Sequence, residues 1–161
     1  MKSAGLSPPP GTRWIVPVSG DDRIGAIQIV NDLVCNRSLF AFSKESGIVS
    51  INIGDRVCFH ATRIGVIADA VVKTKPTHDT ATISPFYPWV YYLQDVHCYS
   101  EKPIVVDSVL RRKLDAFRGR DTEGIWTWFV QRCHRVTPHD FVLLTCNNPQ
   151  VEISSQLEDG R

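Results

Sequence analysis

Residues 53–72 read IGDRVCFHATRIGVIADAVV, and the fold turns on how they are taken. The stretch from Ile51 to Asp55 marks a turn. Arg56 to Ala61 then suits a strand, rich in apolar residues with β-branched and aromatic members. Ile64 to Lys73 reads as a second strand, in which Gly65 permits close approach of another backbone.

On the N-terminal side, Trp14 to Val18 reads as a first strand, ended by Ser19-Gly20. Asp21 and Asp22 suit a helix N-terminus, where carboxylates accept hydrogen bonds from free amides. Ile24, Ile27, Val30, Leu33 and Val34 follow at helical spacing, which predicts an amphipathic helix over 22–34. A short extended piece is expected around Leu39 to Phe42. On the C-terminal side, 75–82 is polar and reads as a mobile loop. Trp89 to Tyr99 reads as a long strand. Val106 to Phe117 reads as a helix with Val109, Leu110, Leu114 and Phe117 on one face. A short helix or turn is expected at 125–131 and a strand at 132–136. Thr137-Pro138 then opens a last helix, with threonine as cap and proline in the first turn. Strands outnumber helices and do not alternate with them regularly. That pattern argues against a doubly wound sheet and for an α+β fold, a small mixed barrel with helices outside.

The chain has 161 residues, 43% of them hydrophobic, enough for one domain with a real core. The domain is expected over 12–146, between tails at 1–11 and 147–161; Val151 and Ile153 could add a short edge strand. No apolar run reaches the roughly 18 residues of a membrane-spanning helix, and the start lacks the apolar segment of a signal peptide. An intracellular location is the expectation. Cys35, Cys58, Cys98, Cys133 and Cys146 are odd in number, widely spaced and without a CxxC pair. They read as small buried hydrophobes in a reducing compartment. Cys133 and His134 lack partners at metal-ligand spacing, so no metal and no cofactor are expected. Cys58 and His60 share one strand face, but about 6–7 Å apart, too far for a nucleophile and its base. A net charge of +1 argues against a protein held on nucleic acid by bulk electrostatics, though not against a local basic patch.

Residues 84–89, SPFYPW, place three large rings between and beside two prolines. The prolines bias their neighbours to extended geometry. Phe86, Tyr87 and Trp89 therefore read as a stiff, extended wall of either a core or a pocket for a flat guest.

Taken in order, RWIVPVS, IGDRVCFHA, IGVIADAVV, SPFYPWVYYLQDV, DSVLRRKLDAF and RVTPHDFVLL resemble an EVE domain of the PUA-like superfamily, related in fold to YTH and ASCH domains. The resemblance spans roughly 13–145. It implies a mixed β pseudo-barrel flanked by helices, with a pocket on one face. EVE and YTH relatives are associated with reading modified bases, flipped out and held between aromatic rings. The resemblance thus implies a non-enzymatic reader of DNA or RNA carrying a methylated or hydroxymethylated base. Its pocket would hold Ser19, Asp21, Phe42, Ser43, Phe86, Tyr87 and Trp89. Phe42 stands where YTH relatives place a cage tryptophan. Arg111, Arg112, Arg118 and Arg120, the densest basic cluster, would contact phosphate. The alternatives are an ASCH-like enzyme acting on a modified nucleoside or small amide, and a small-molecule or protein-interaction module that keeps the pocket. No membrane partner is expected.

Overall fold

The computed structural model describes residues 11–20, 25–43, 51–122 and 124–145. Its strands are β1 (Arg13–Val18), β2 (Leu39–Phe42), β3 (Arg56–Ala61), β4 (Gly65–Val72), β5 (Thr77–His78), β6 (Trp89–Cys98) and β7 (His134–Val136). They form one sheet in the order β2-β6-β4-β3-β1-β7, with β5 also paired to β6. β1 runs parallel to β3, and the other pairs are antiparallel. The result is an α+β protein whose sheet curls into a half-barrel, with few helices around it.

Two bulges mark where the sheet bends. Phe59 pairs with Ala68 and His60 with Val66, so Ile67 is an extra residue on β4. As a consequence Ile67 and Ala68 both turn toward one apolar cluster. On β6, Asp69 faces His97 while Val71 faces Gln94, and Asp95 takes a φ of 50°. Each extra residue bends its strand and increases the local twist. The first half of β6 can then pair with β2 and the second half with β4.

The turn at 53–55 pins the centre of the sheet. Gly54 has a φ of 90°, a conformation open to glycine. Asp55, buried beside it, accepts from the Thr12 amide at 3.0 Å, the Asn52 amide at 2.9 Å and Trp14 Nε1 at 2.9 Å. Three donors satisfy one buried carboxylate and hold the start of β1 against β3. The close approach expected at Gly65 is made by Ile104: a Cβ on Gly65 would lie 2.5 Å from the Ile104 carbonyl oxygen.

Both faces of β1 and β3 are covered. Val16, Val18, Val57, Phe59 and Ala61 join Val30, Val34, Phe40 and Tyr91 in one cluster, under α1 (Ala26–Val30) and the π-helical turn Asn31–Cys35 that continues it. Ile15 and Cys58 point the other way. They pack with Leu110, Leu114, Phe117, Phe129, Phe141 and Leu144, contributed by α2 (Ser108–Lys113), α3 (Pro138–Thr145) and two 3-10 turns, Asp115–Phe117 and Thr127–Phe129. Strands buried on both sides read as continuous apolar runs, as β3 and β4 do.

Several expectations need correction. The helix expected over 106–117 ends at Lys113. Leu114 is extended, with ψ 137°. The reason is tertiary: the buried carboxylate of Asp140 accepts from the amides of Asp115 at 2.6 Å and Ala116 at 3.0 Å, which draws the chain out of the helix. Val109, placed on the core face by spacing, is 52% exposed. The polar segment 75–82 contains β5. SPFYPW is a turn rather than a straight wall: the Tyr87 amide donates to the Ser84 carbonyl at 3.1 Å, with Pro85 next after Ser84. Cys35 and Cys98 form a disulfide across 63 residues, joining the end of the helix to the end of β6. These two cysteines are therefore not free buried hydrophobes, and they give no support to a reducing compartment. Cys58 is a buried free thiol and Cys133 a half-buried one. The proposed edge strand at Val151 and Ile153 and both tails lie outside the described residues. Among the described residues no helix is long and apolar enough to cross a membrane.

Candidate functional site

At the end of β1 and β3 the two apolar clusters do not close over the sheet, and a cavity of about 1140 Å³ opens there. Its wall on one side comes from Ile29, Leu33, Phe40 and Phe42, which belong to or pack on the cluster under α1. On the other side stand Val106, Trp126 and Val130, from the cluster around Phe129. The cavity thus wraps around the sheet's end and touches both faces.

Four of the seven residues selected from sequence line it: Ser19, Phe42, Ser43 and Tyr87. They come from the end of β1, the end of β2 and the turn before β6. Phe42 is held flat by Tyr91, with ring centres 5.6 Å apart and planes 11° apart, an offset stack that fixes its orientation. Phe40 closes against Phe42 edge-on at 5.9 Å. Tyr87 is about half exposed at the mouth.

Two of the seven fall elsewhere. Phe86 is 79% exposed and lines no part of the cavity, because the turn at Ser84 rotates it outward. Trp89 is paired with Phe42 across β2 and β6 and makes an edge contact with His78 at 5.1 Å, outside the cavity. Asp21 lies outside the described residues.

The hydroxyls at the mouth have a defined polarity. Thr62 donates its one proton to the Val18 carbonyl at 3.0 Å. Ser19 Oγ lies 2.9 Å from Thr62 Oγ1. With the threonine proton committed, Ser19 is the donor of that bond. Among the described residues no donor occupies the lone pairs of Ser19, which can accept from a guest.

The basic cluster is not where phosphate contact was expected. Arg111 is buried. It donates to the Val106 carbonyl at 2.6 Å and the Thr122 carbonyl at 2.9 Å, and its guanidinium covers the Trp126 ring at 4.4 Å. Arg111 is a structural clamp, since a helix residue facing the core cannot also reach solvent. Arg118 pairs with Asp115 at 2.8 Å and Arg120 lies over Trp128 at 4.5 Å. Arg112 is exposed, and none of the four lines the cavity. Among the described residues the basic side chain that does is Arg63, in the turn between β3 and β4, with a φ of 65°. A non-glycine residue held in that region carries strain, which turns often place at functional positions.

From sequence His60 is weighed only as a base for Cys58 and not as a pocket residue. It is 3% exposed, lines the cavity, and its Nδ1 has no hydrogen-bond partner. Burial pushes its pKa down to about 4, with a smaller opposing effect from its own backbone, so the ring is neutral. Burial raises the Cys58 thiol well above its ordinary value, so neither group is tuned toward a thiolate–imidazolium pair. A polar residue inside the apolar run VCFHA was the available signal. Asp115, His139 and Asp140 converge at the surface, but their oxygens are taken by backbone amides, Arg118 and Thr137. Compared with protein families and with curated proteins, the chain matches none.

Proposed function

We propose that the protein is a non-enzymatic reader that binds a flipped, modified base of DNA or RNA in this cavity, on a PUA-like scaffold of EVE type. The observation that carries the reading is convergence. Ser19, Phe42, Ser43 and Tyr87, from three separate stretches of chain, line one cavity. Phe42, immobilised on Tyr91, offers a flat face to a base, and Tyr87 offers a second at the mouth. Stacking of this kind contributes about 1–3 kcal/mol per base. A methyl group on the base adds apolar area that such a wall favours. Ser19, acting as acceptor, suits an exocyclic amino group, which cytosine and adenine carry. Arg63 replaces the 111–120 cluster as the candidate phosphate contact.

The test is a titration of short single- and double-stranded oligonucleotides, DNA and RNA, each plain or carrying one modified cytosine or adenine. Tighter binding of one modification, lost in Phe42→Ala, supports the reader. Absence of binding to every oligonucleotide at low salt removes nucleic acid as the guest.

A further inference from the structure

The cavity is larger than one base requires. Clefts for drug-sized ligands run to about 300–1,000 Å³, and this one holds about 1140 Å³. The aromatic cage occupies only its side under α1. Across the sheet's end lies a second lobe with its own chemistry. Along β3, Val57, Phe59 and Ala61 face the cluster under α1, while Cys58 faces the opposite cluster. β3 runs beside β1 without a register shift from Arg56 to Ala61, so alternation puts His60 on the same side as Cys58. Trp126, Val106, Thr127 and Gln131 line the cavity on that side.

Two features of this lobe ask for a ligand. His60 is a buried ring with an unpartnered nitrogen, and a buried polar atom without a partner costs about 1–3 kcal/mol. Trp126 has one face covered by the Arg111 guanidinium and also borders the cavity. That leaves an indole platform backed by a cation held on two carbonyls.

We propose that the His60–Trp126 lobe is a second subsite, which takes one uncharged heteroaromatic ring by a hydrogen bond to His60 and stacking on Trp126. Within the base-reader assignment, on which this inference rests, that ring is the base adjoining the one in the Phe42–Tyr87 cage. The unit recognised is then two neighbouring nucleotides. Neutral His60 can present either a donor or an acceptor, according to its tautomer, and repels no cationic edge. An aliphatic guest would leave Nδ1 unpartnered, and a guest on the cage side alone would leave the lobe filled with water.

The experiment uses the full chain labelled with ¹⁵N, in which the His60 ring nitrogens, the Trp126 indole N–H and the backbone amides of Phe42 and Tyr87 are followed by NMR. The first probe is benzimidazole, a bare ring with one donor and one acceptor; the second is the deoxydinucleotides CpC and ApA. The expected result is that benzimidazole moves the His60 and Trp126 signals together. His60→Leu should weaken it about fivefold, as loss of one hydrogen bond implies. Benzimidazole that moves only Phe42 and Tyr87, or none of these residues, overturns the subsite. Movement of His60 and Trp126 by benzimidazole, with neither dinucleotides nor longer oligonucleotides binding, keeps the subsite and removes the base-reader assignment instead. The signals of the wild-type protein decide the matter even if His60→Leu folds poorly.

Discussion

Acidification from about pH 7.5 to about pH 5 should cost the protein about 2 kcal/mol of stability through His60 alone. The ring is 3% exposed and its pKa is lowered from 6.5 to about 4, with burial as the principal cause. A group whose pKa falls on folding binds its proton more readily in the unfolded chain. Stability is therefore complete above about pH 6.5. It declines as the unfolded histidine protonates, and stops declining below about pH 4. At about 1.36 kcal/mol per pH unit, the full effect is about 3 kcal/mol, of which roughly two thirds has appeared by pH 5. The assay is urea denaturation at a series of pH values for wild type and His60→Leu. Carboxylates that titrate in both proteins cancel in the difference, as does Arg63, the charged neighbour in the cavity. The variant should lose the decline between about pH 6.5 and pH 4 and keep whatever lies below it. Equal pH slopes for the two proteins would refute the placement of His60 as a buried neutral ring.

Four further outcomes are expected. Phe42→Ala and Tyr87→Ala should each weaken binding of the preferred oligonucleotide by about 1 kcal/mol or more, whereas Phe86→Ala should change it little; an equal loss in all three would place Phe86 in the pocket. Reduction of Cys35–Cys98, or Cys98→Ser, should lower stability by up to about 4 kcal/mol on loop-closure entropy for a 63-residue separation, and a denaturation midpoint indifferent to reductant would contradict the bridge. Tyr91→Phe should leave stability unchanged or raise it by about 1 kcal/mol, because the buried Tyr91 hydroxyl has no partner; a clear loss by thermal melting would reveal one. Asp140→Ala should cost about 3 kcal/mol in chemical denaturation, since the amides of Asp115 and Ala116 lose their acceptor inside the fold.

Strand positions were legible because they depend on local composition. The run RVCFHA became β3 within the bounds read from sequence, and LFAF became β2. The cap at Thr137 was equally local: its Oγ1 accepts from the Asp140 amide at 3.1 Å. The helix over 106–117 was misjudged at its end because the carboxylate that breaks it comes from 25 residues away. The site was half legible. Aromatic and serine residues beside turns marked Phe42, Ser43, Tyr87 and Ser19. Nothing local distinguished them from Phe86 and Trp89, whose positions depend on one turn and one strand pairing.

Sequence by itself determined the succession of short apolar strands, outnumbering the helices and not alternating with them, and hence the α+β class, because side-chain periodicity and turn chemistry act within a few residues. Tertiary structure alone decided what lies beside what. It joined Cys35 to Cys98, turned Arg111 inward beneath Trp126, rotated Phe86 into solvent and left His60 buried without a partner. Each of these depends on the curl of the sheet and on contacts between residues distant in the chain, where no spacing rule reaches.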